Sequence, residues 1–293
     1  MTTGAERADA PPKMRFAADL LAGKVALVTG GGTGIGKVTA IEMARCGGAV
    51  ALYGRRLEKL EETAAEIAAF GGRALPIQGD TRDTDQLQAT MDAIRAEFGR
   101  LDILVNNAGG QFVSRARDID FKGFDAVIRN NLSATWYVTK IAADNFFFEG
   151  GGRVICVTAP VRAALPGFSH SGAARAGVVS LMKSLAYEWA EHDILCNCVG
   201  PGSVKSFEAE HYPIPIENWM GAKRNLLGRM GRTEDVSGAI IFLASELGDY
   251  ITGEEIYVDG GETLYLHNDA ADLVAPDLVE TRRAAGREKR RAR

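Results

Sequence analysis

The stretch "KVALVTGGGTGIGK", residues 24 to 37, decides how the rest of the chain is read. Its first part, Lys24 to Thr29, is short and apolar on both faces, as in a strand of a parallel sheet covered by helices on both sides. Its second part is a glycine-rich turn leading into a helical stretch. Gly30, Gly34 and Gly36 let the backbone turn tightly and approach a pyrophosphate. A helix N-terminus offers that anion free amides and a favourable dipole. Glycines in a turn say little alone. Strand, turn and helix in this order, at the head of an alternating chain, specify a dinucleotide site. Thr33 and Ile35 lie in the same turn and join the candidate cofactor contacts.

The alternation continues outward. "AVALY", "RALPI", "LDILVN", "GRVICVT", "ILCNCV" and "EEIYV" repeat the short apolar run, with helical stretches between them. In "LEKLEETAAEIAAFGG", Leu57, Leu60, Ala64 and Ile67 share one helical face, and Gly71 stands where a helix stops. This order predicts an α/β fold: a single Rossmann-type, doubly wound parallel sheet of about seven strands with helices on both faces. The domain is expected over residues 21–267, with a substrate lid near 203–230. An N-terminal extension (1–20) precedes it and a basic C-terminal tail (268–293) follows.

The chain has 293 residues, 46% hydrophobic and 25% charged, which suits one such domain. A net charge of −4 gives no electrostatic case for a nucleic-acid partner. The basic block "ETRRAAGREKRRAR" reads as a solvated or partly helical tail. The opening "MTTGAERADAPPKMRF" has no apolar stretch of a secretory signal, and no run approaches the roughly 18–20 apolar residues of a membrane span. A soluble protein without a membrane partner is expected. Cys46, Cys156, Cys196 and Cys198 form no metal-ligand pattern and are expected as reduced core thiols.

The end of the second strand reads "ALYGRRLEK". An enzyme using NAD places a carboxylate there for the ribose 2′-hydroxyl. Gly54 occupies that place, followed by Arg55 and Arg56. A guanidinium binds a 2′-phosphate through two parallel hydrogen bonds, whereas a carboxylate repels it. The cofactor expected is NADP(H).

The spacing of the glycine turn resembles that of the short-chain dehydrogenase/reductase family, and further motifs of that family follow in order over residues 20 to about 262. "NNAG" (Asn106 to Gly109) closes the fourth strand, "GPG" (Gly200 to Gly202) the sixth, and "ITGEEIYVDGG" supplies the last. The resemblance implies that Asp80 lies on the adenine side, that Asn107 and Gly109 border the adenosine, and that Pro201 and Gly202 lie beside the nicotinamide. It also implies a homotetramer built through two long helices, around Phe121 to Phe148 and His170 to Glu191. "NFFF" (Asn145 to Phe148) suits either that contact or the core.

Most members of that family carry a serine after the fifth strand, Tyr-x-x-x-Lys on the next helix and an asparagine on the helix before. Aligned backwards from "MKSLAYEWA", the lysine position holds Arg175, the tyrosine position Ser171, and the serine position Ala159 beside Thr158. Asn131 keeps the asparagine. "HSGAARAGV", "NNAGGQF" and "VDGGETLYLH" together resemble the peroxisomal trans-2-enoyl-CoA reductase and 2,4-dienoyl-CoA reductase branch. In the dienoyl reductases a tyrosine of the loop after the fifth strand serves instead, but "APVRAALPGF" has none. The enoyl reductase's tyrosine position holds Val179.

The branch implies NADPH-dependent reduction of a carbon–carbon double bond in an acyl-CoA thioester, with Asn131, Ser171 and Arg175 as the catalytic candidates. Chemistry agrees with the exchange. Ketone reduction makes a strongly basic alkoxide that needs an acid at oxygen. Hydride addition to an enoyl thioester makes an enolate that needs hydrogen-bond donors. Arg175 stays cationic and can still bind ribose hydroxyls.

Two alternatives stand beside this reading: a carbonyl reductase or alcohol dehydrogenase using an atypical acid such as His170, and a non-catalytic NADP-binding subunit. A CoA substrate calls for basic residues at the entrance. Arg115, Arg117, Lys205, Lys223, Arg224 and Arg229 are candidates, and "YPIPIENW" is apolar enough for a lid. The ending "RAR" is not a peroxisomal signal, which favours a cytoplasmic setting.

Overall fold

Side chains along the first strand alternate between two separate cores, and the fold follows from that alternation. A computed structural model describes residues 16–205 and 226–264. The elements run β1 (Val25–Thr29), α1 (Gly34–Arg45), β2 (Ala49–Gly54), α2 (Leu57–Ala68), β3 (Arg73–Gln78), α3 (Thr84–Phe98) and β4 (Ile103–Asn106). A long helical stretch follows, made of α4 (Phe121–Ile128), a π-helical turn (Arg129–Ser133), α5 (Ala134–Ala142), a second π turn (Ala143–Phe147) and α6 (Phe148–Gly150). Next come β5 (Gly152–Val157), α7 (Ser169–Glu188), β6 (Ile194–Pro201), the short β7 (Val204–Lys205) and β8 (Gly231–Arg232), α8 (Thr233–Ala244) and β9 (Glu255–Val258).

One seven-stranded sheet has the order β3-β2-β1-β4-β5-β6-β9, with every pairing parallel. Val25 and Leu27 face a core shared with Leu87 and Met91 of α3, Val138 of α5 and Val178 and Met182 of α7. Ala26 and Val28 face the opposite core, with Met43 of α1, Leu60 and Ile67 of α2 and Ile240 of α8. Each fully buried Leu, Ile or Met contributes about 1.5–3 kcal/mol relative to exposure. Two such layers are what hold a sheet with no wet face. This is the doubly wound sheet expected from the sequence.

Local signals set the boundaries. Asp83 caps α3 by accepting hydrogen bonds from the amides of Asp85 and Gln86, both at 3.1 Å, and Gly99 ends the helix at φ 75°. "RALPI" departs from the expectation of a strand covered on both faces. β3 pairs only with β2 and stands at the sheet edge, its residues partly buried or exposed. Pro76 has no amide to offer a second neighbour, and an edge is where a sheet tolerates it.

The four cysteines are free and buried, as read from the sequence. Burial pushes the Cys46 thiol up to about 11 and that of Cys156 up to about 12. "NFFF" goes mainly to the core: Phe147 is fully buried, and Phe146 and Phe148 pack against the same cluster. Phe16 and Leu20 already pack on the body, so ordered packing begins before residue 21. The remaining N-terminal residues, the lid segment 206–225 with Tyr212, Lys223, Arg224 and "YPIPIENW", and the tail beyond 264 lie outside the described residues.

Candidate active site

The order of the strands reverses between β1 and its two neighbours, β2 and β4. At such a switch point the loops beyond the strand ends diverge and leave a crevice for a ligand. The glycine turn and "NNAG" form its two walls. Gly30 and Gly34 hold φ of +68° and +56°, a region that excludes most side chains. Gly36 is required for a different reason: a Cβ there would stand 2.3 Å from the Gly30 carbonyl oxygen and 2.4 Å from Asn107 Nδ2.

The two walls are tied together at Thr29. Its Oγ1 accepts from the amides of Asn107 and Ala108, both at 3.0 Å, and donates to the Val105 carbonyl at 3.3 Å. Asn107 Nδ2 donates to the Thr29 carbonyl at 3.0 Å. Asn106, by contrast, turns into the core and donates to Thr139 Oγ1 at 2.8 Å. α1 has no side-chain cap from Thr33 and no acidic residue in its first turn. Its leading amides are therefore left to an anion. These features fit a dinucleotide pyrophosphate. Ile35, partly buried, packs the turn onto the core below.

At the end of β2, Arg56 Nη2 reaches Thr33 Oγ1 at 3.4 Å, which lays its guanidinium beside the glycine turn. Arg55, Gln78, Gly79, Asp80 and Gln86 line a neighbouring cleft of about 410 Å³. Asp80 is locked to Arg82 by two side-chain bonds of 2.9 and 2.5 Å. Those bonds hold its carboxyl down at about 2, so it is an anion at any ordinary pH. Gly54 leaves room where a carboxylate would stand, since the nearest atom to a Cβ there is Leu60 Cδ2 at 3.6 Å.

Across the crevice, α7 brings Arg175 and Ser171 onto one helical face, a turn apart. Arg175 Nη1 donates to the carbonyl of Val157, the last residue of β5, at 2.9 Å. Its Nη2 lies 2.1 Å from where a Cβ of Gly109 would be, and Asn131 Oδ1 lies 2.6 Å from that same point. Gly109, Asn131 and Arg175 therefore converge. Asn131 is 1% exposed and sits in the first π turn, a feature that frequently marks functional sites. Its amide donates to the carbonyls of Gly110 and Val127, both at 2.8 Å, and its oxygen accepts from the Gly110 amide at 3.2 Å.

Ser171 has a different neighbour. It is fully buried, and its hydroxyl donates to the side-chain oxygen of Gln111, an exposed residue that sequence reading did not assign to the site. His170 is also fully buried. Its Nδ1 accepts from the Ser171 amide at 2.9 Å, and its ring meets Phe112 edge-on at 4.4 Å. A ring so enclosed is poorly placed to act as an acid on a substrate. Pro201 ends β6, one strand over from Val157, and Gly202 follows it. They are held by the turn after β9, where a Cβ on Gly202 would stand 2.7 Å from Asp259 Cα.

Of the basic residues assigned to the entrance, Arg115, Arg117 and Lys205 are exposed. Arg229 instead grips Asp235 at 2.6 and 3.0 Å, at the start of α8. Among the described residues no group of histidine, cysteine and acidic side chains could hold a metal. No described helix is long and apolar enough to cross a membrane.

With this geometry in place, similarity to known proteins is informative. A family profile described as Enoyl-(Acyl carrier protein) reductase matches residues 30–263. The chain is 32% identical to a peroxisomal 2,4-dienoyl-CoA reductase of Rattus norvegicus, over 88% of this chain and 90% of the relative. It is 33% identical to a 2-dehydro-3-deoxy-D-gluconate 5-dehydrogenase of Escherichia coli, over 85% and 98%. A citronellol catabolism dehydrogenase of Pseudomonas aeruginosa superposes with a TM-score of 0.77 at 34% identity, covering 85% of this chain and 98% of that one.

Proposed function

Because the chain belongs to the short-chain dehydrogenase/reductase family, a family of nicotinamide-dependent oxidoreductases, we propose that it reduces a carbon–carbon double bond of an enoyl-CoA or 2,4-dienoyl-CoA thioester with NADPH. The observation that carries this reading is the replacement at the centre of α7. The position usually held by a phenol holds a buried serine bonded to an amide side chain. Such a pair can stabilise charge on an oxygen through hydrogen bonds, but neither member is acidic enough to deliver a proton to an alkoxide. Similarity to dienoyl-CoA reductases supports the same choice.

A bound reduced nicotinamide supplies the hydride. The residues of the chain bind and orient it. The amides at the start of α1 hold the pyrophosphate, and Arg55 and Arg56 take the 2′-phosphate that Gly54 does not oppose. Arg175, fixed to the end of β5, reaches the ribose hydroxyls as a permanent cation. Asn131 holds the loop at Gly110 that forms the opposite wall. Arg115, Arg117 and Lys205 are exposed basic residues at hand for CoA phosphates. Phe121 and Tyr187, 93% and 89% exposed on α4 and α7, support assembly through those helices into a homotetramer.

The dehydrogenase relatives favour a second reading, reduction of a ketone or oxidation of an alcohol. Purified protein, NADPH or NADH, and panels of trans-2-enoyl-CoA, 2,4-dienoyl-CoA and ketones separate them. Oxidation of NADPH by thioesters alone is the expected result. Turnover of ketones alone would transfer the assignment to the second reading. Tight NADPH binding with no turnover would leave a non-catalytic subunit.

A further inference from the structure

A dinucleotide extends in two directions from its pyrophosphate. The glycine turn lies at the end of β1, and Arg55, Arg56 and Asp80 lie on its β2 side. With the adenosine half on that side, the nicotinamide half is left the ends of β4, β5 and β6. Arg175 is fixed at the end of β5. The next backbone along the same course is the loop after β6, and one carboxylate holds it.

That carboxylate belongs to Glu262, 59 positions away. Ser203 donates its amide to Glu262 Oε2 at 2.7 Å and its hydroxyl to Glu262 Oε1 at 3.1 Å. The Ser203 carbonyl accepts from the Gly231 amide at 2.9 Å, so every hydrogen-bonding group of Ser203 is engaged. Two charge-assisted bonds to one residue fix its backbone and its side-chain rotamer together. Just before it, the Gly202 amide donates to the Val258 carbonyl at 3.1 Å.

The carboxylate is presented from a closed turn. Asp259 accepts from the Gly261 amide at 2.8 Å, the Thr263 amide at 3.0 Å and the Thr263 hydroxyl at 2.6 Å. The Glu262 amide donates back to the Asp259 carbonyl at 3.0 Å. No slack separates this turn from the loop it holds: a Cβ on Gly202 would stand 2.7 Å from both Glu262 Oε2 and Asp259 Cβ. The turn after β9 therefore decides where Gly202 and Ser203 lie.

We propose that Glu262 is the positioning residue for the nicotinamide half of the cofactor, acting through Ser203 and Gly202. This rests on the cofactor reading above and is independent of which substrate is reduced. A ring that passes a hydride must hold one face at a fixed distance from its acceptor, so the wall it rests on has to be rigid. The Asp80 cleft and the arginines are held by other bonds. Loss of the Glu262 grip therefore weakens binding of one half of the cofactor and spares the other.

The test compares NADPH with adenosine 2′,5′-bisphosphate, which keeps the phosphorylated adenosine and lacks the nicotinamide. Calorimetry measures both ligands on wild type, Glu262→Ala, Glu262→Asp and Glu262→Gln. Glu262→Ala should weaken NADPH about tenfold, the scale of a lost hydrogen bond to a charged group, and the fragment less than about twofold. Glu262→Asp is one methylene too short to grip both groups and should show the same split, which carries the test if the alanine variant misfolds. The side-chain amide of Glu262→Gln can accept from the Ser203 N–H and donate to its hydroxyl, so NADPH affinity should return to within about threefold of wild type. Equal weakening of both ligands in the alanine and aspartate variants, or of neither, would overturn the role of Glu262 and leave the cofactor reading standing. No binding of NADPH or NADH by wild type would remove both.

Discussion

At the scale of the residue, the proposed preference for NADPH rests on one missing side chain. Gly54 ends β2 with ordinary backbone angles and open space around its Cβ position, so nothing steric demands glycine there. The proposed consequence is electrostatic: no carboxylate stands at the end of β2, and Arg55 and Arg56 follow. Gly54→Asp should therefore fold normally, weaken NADPH and strengthen NADH, shifting the ratio of their dissociation constants by at least about tenfold. Fluorescence titration of both cofactors checks it. An unchanged ratio would mean that the end of β2 does not read the 2′ position. The glycine turn and the arginine pair that carry this proposal were legible in the sequence because they are local: glycines, strand end and arginines lie within about thirty residues. Gln111 was not legible as a site residue. It is separated from Ser171 by 60 positions, and neither residue type announces the other.

At the scale of the element, β1 and β4 are joined by the Thr29 hydroxyl, which accepts from two partly buried loop amides at once. Thr29→Val keeps the shape and removes the acceptor, leaving the Asn107 and Ala108 amides without it. A stability loss on the order of 1–3 kcal/mol is expected, since the Ala108 amide loses its acceptor while the Asn107 amide keeps the Val105 carbonyl at 3.1 Å. Denaturant unfolding measures it, and a loss below about 0.5 kcal/mol would show that the hydroxyl does not hold the two strands' loops together. Cofactor affinity should fall with it, because the same loop forms one wall of the crevice. The long helix before β5 makes a related point. The family resemblance implies a long helix around Phe121 to Phe148, but not the π turn at Arg129–Ser133 within it. Asn131 donates to Val127 and binds Gly110 through the same side chain, which an uninterrupted helix facing another way would not do.

At the scale of the whole molecule, the two cores enclose all four thiols. Cys196 and Cys198 sit in β6, Cys156 in β5 and Cys46 at the end of α1, each at most 1% exposed. Burial raises every one of these thiols above its ordinary value, so little thiolate exists at neutral pH. Native protein should react negligibly with a disulfide reagent near pH 8, and four thiols should react at once in denaturant. Rapid labelling of a native cysteine would contradict the packing of that layer. By itself the sequence determined the class of fold, the position of the dinucleotide turn and the positions on α7 where the usual phenol and amine are absent. Hydrophobic period, glycine placement and motif order are properties of neighbouring residues, and they act before the chain is folded. Only the tertiary structure decided what surrounds those positions. It brings a loop after β4 against the first turns of α7, buries Ser171 and His170, and leaves Gln111 as the exposed partner. The physical reason is that a parallel sheet joins its strand ends through long crossovers, so the residues that meet at those ends are brought together by the packing of both layers and not by any signal along the chain.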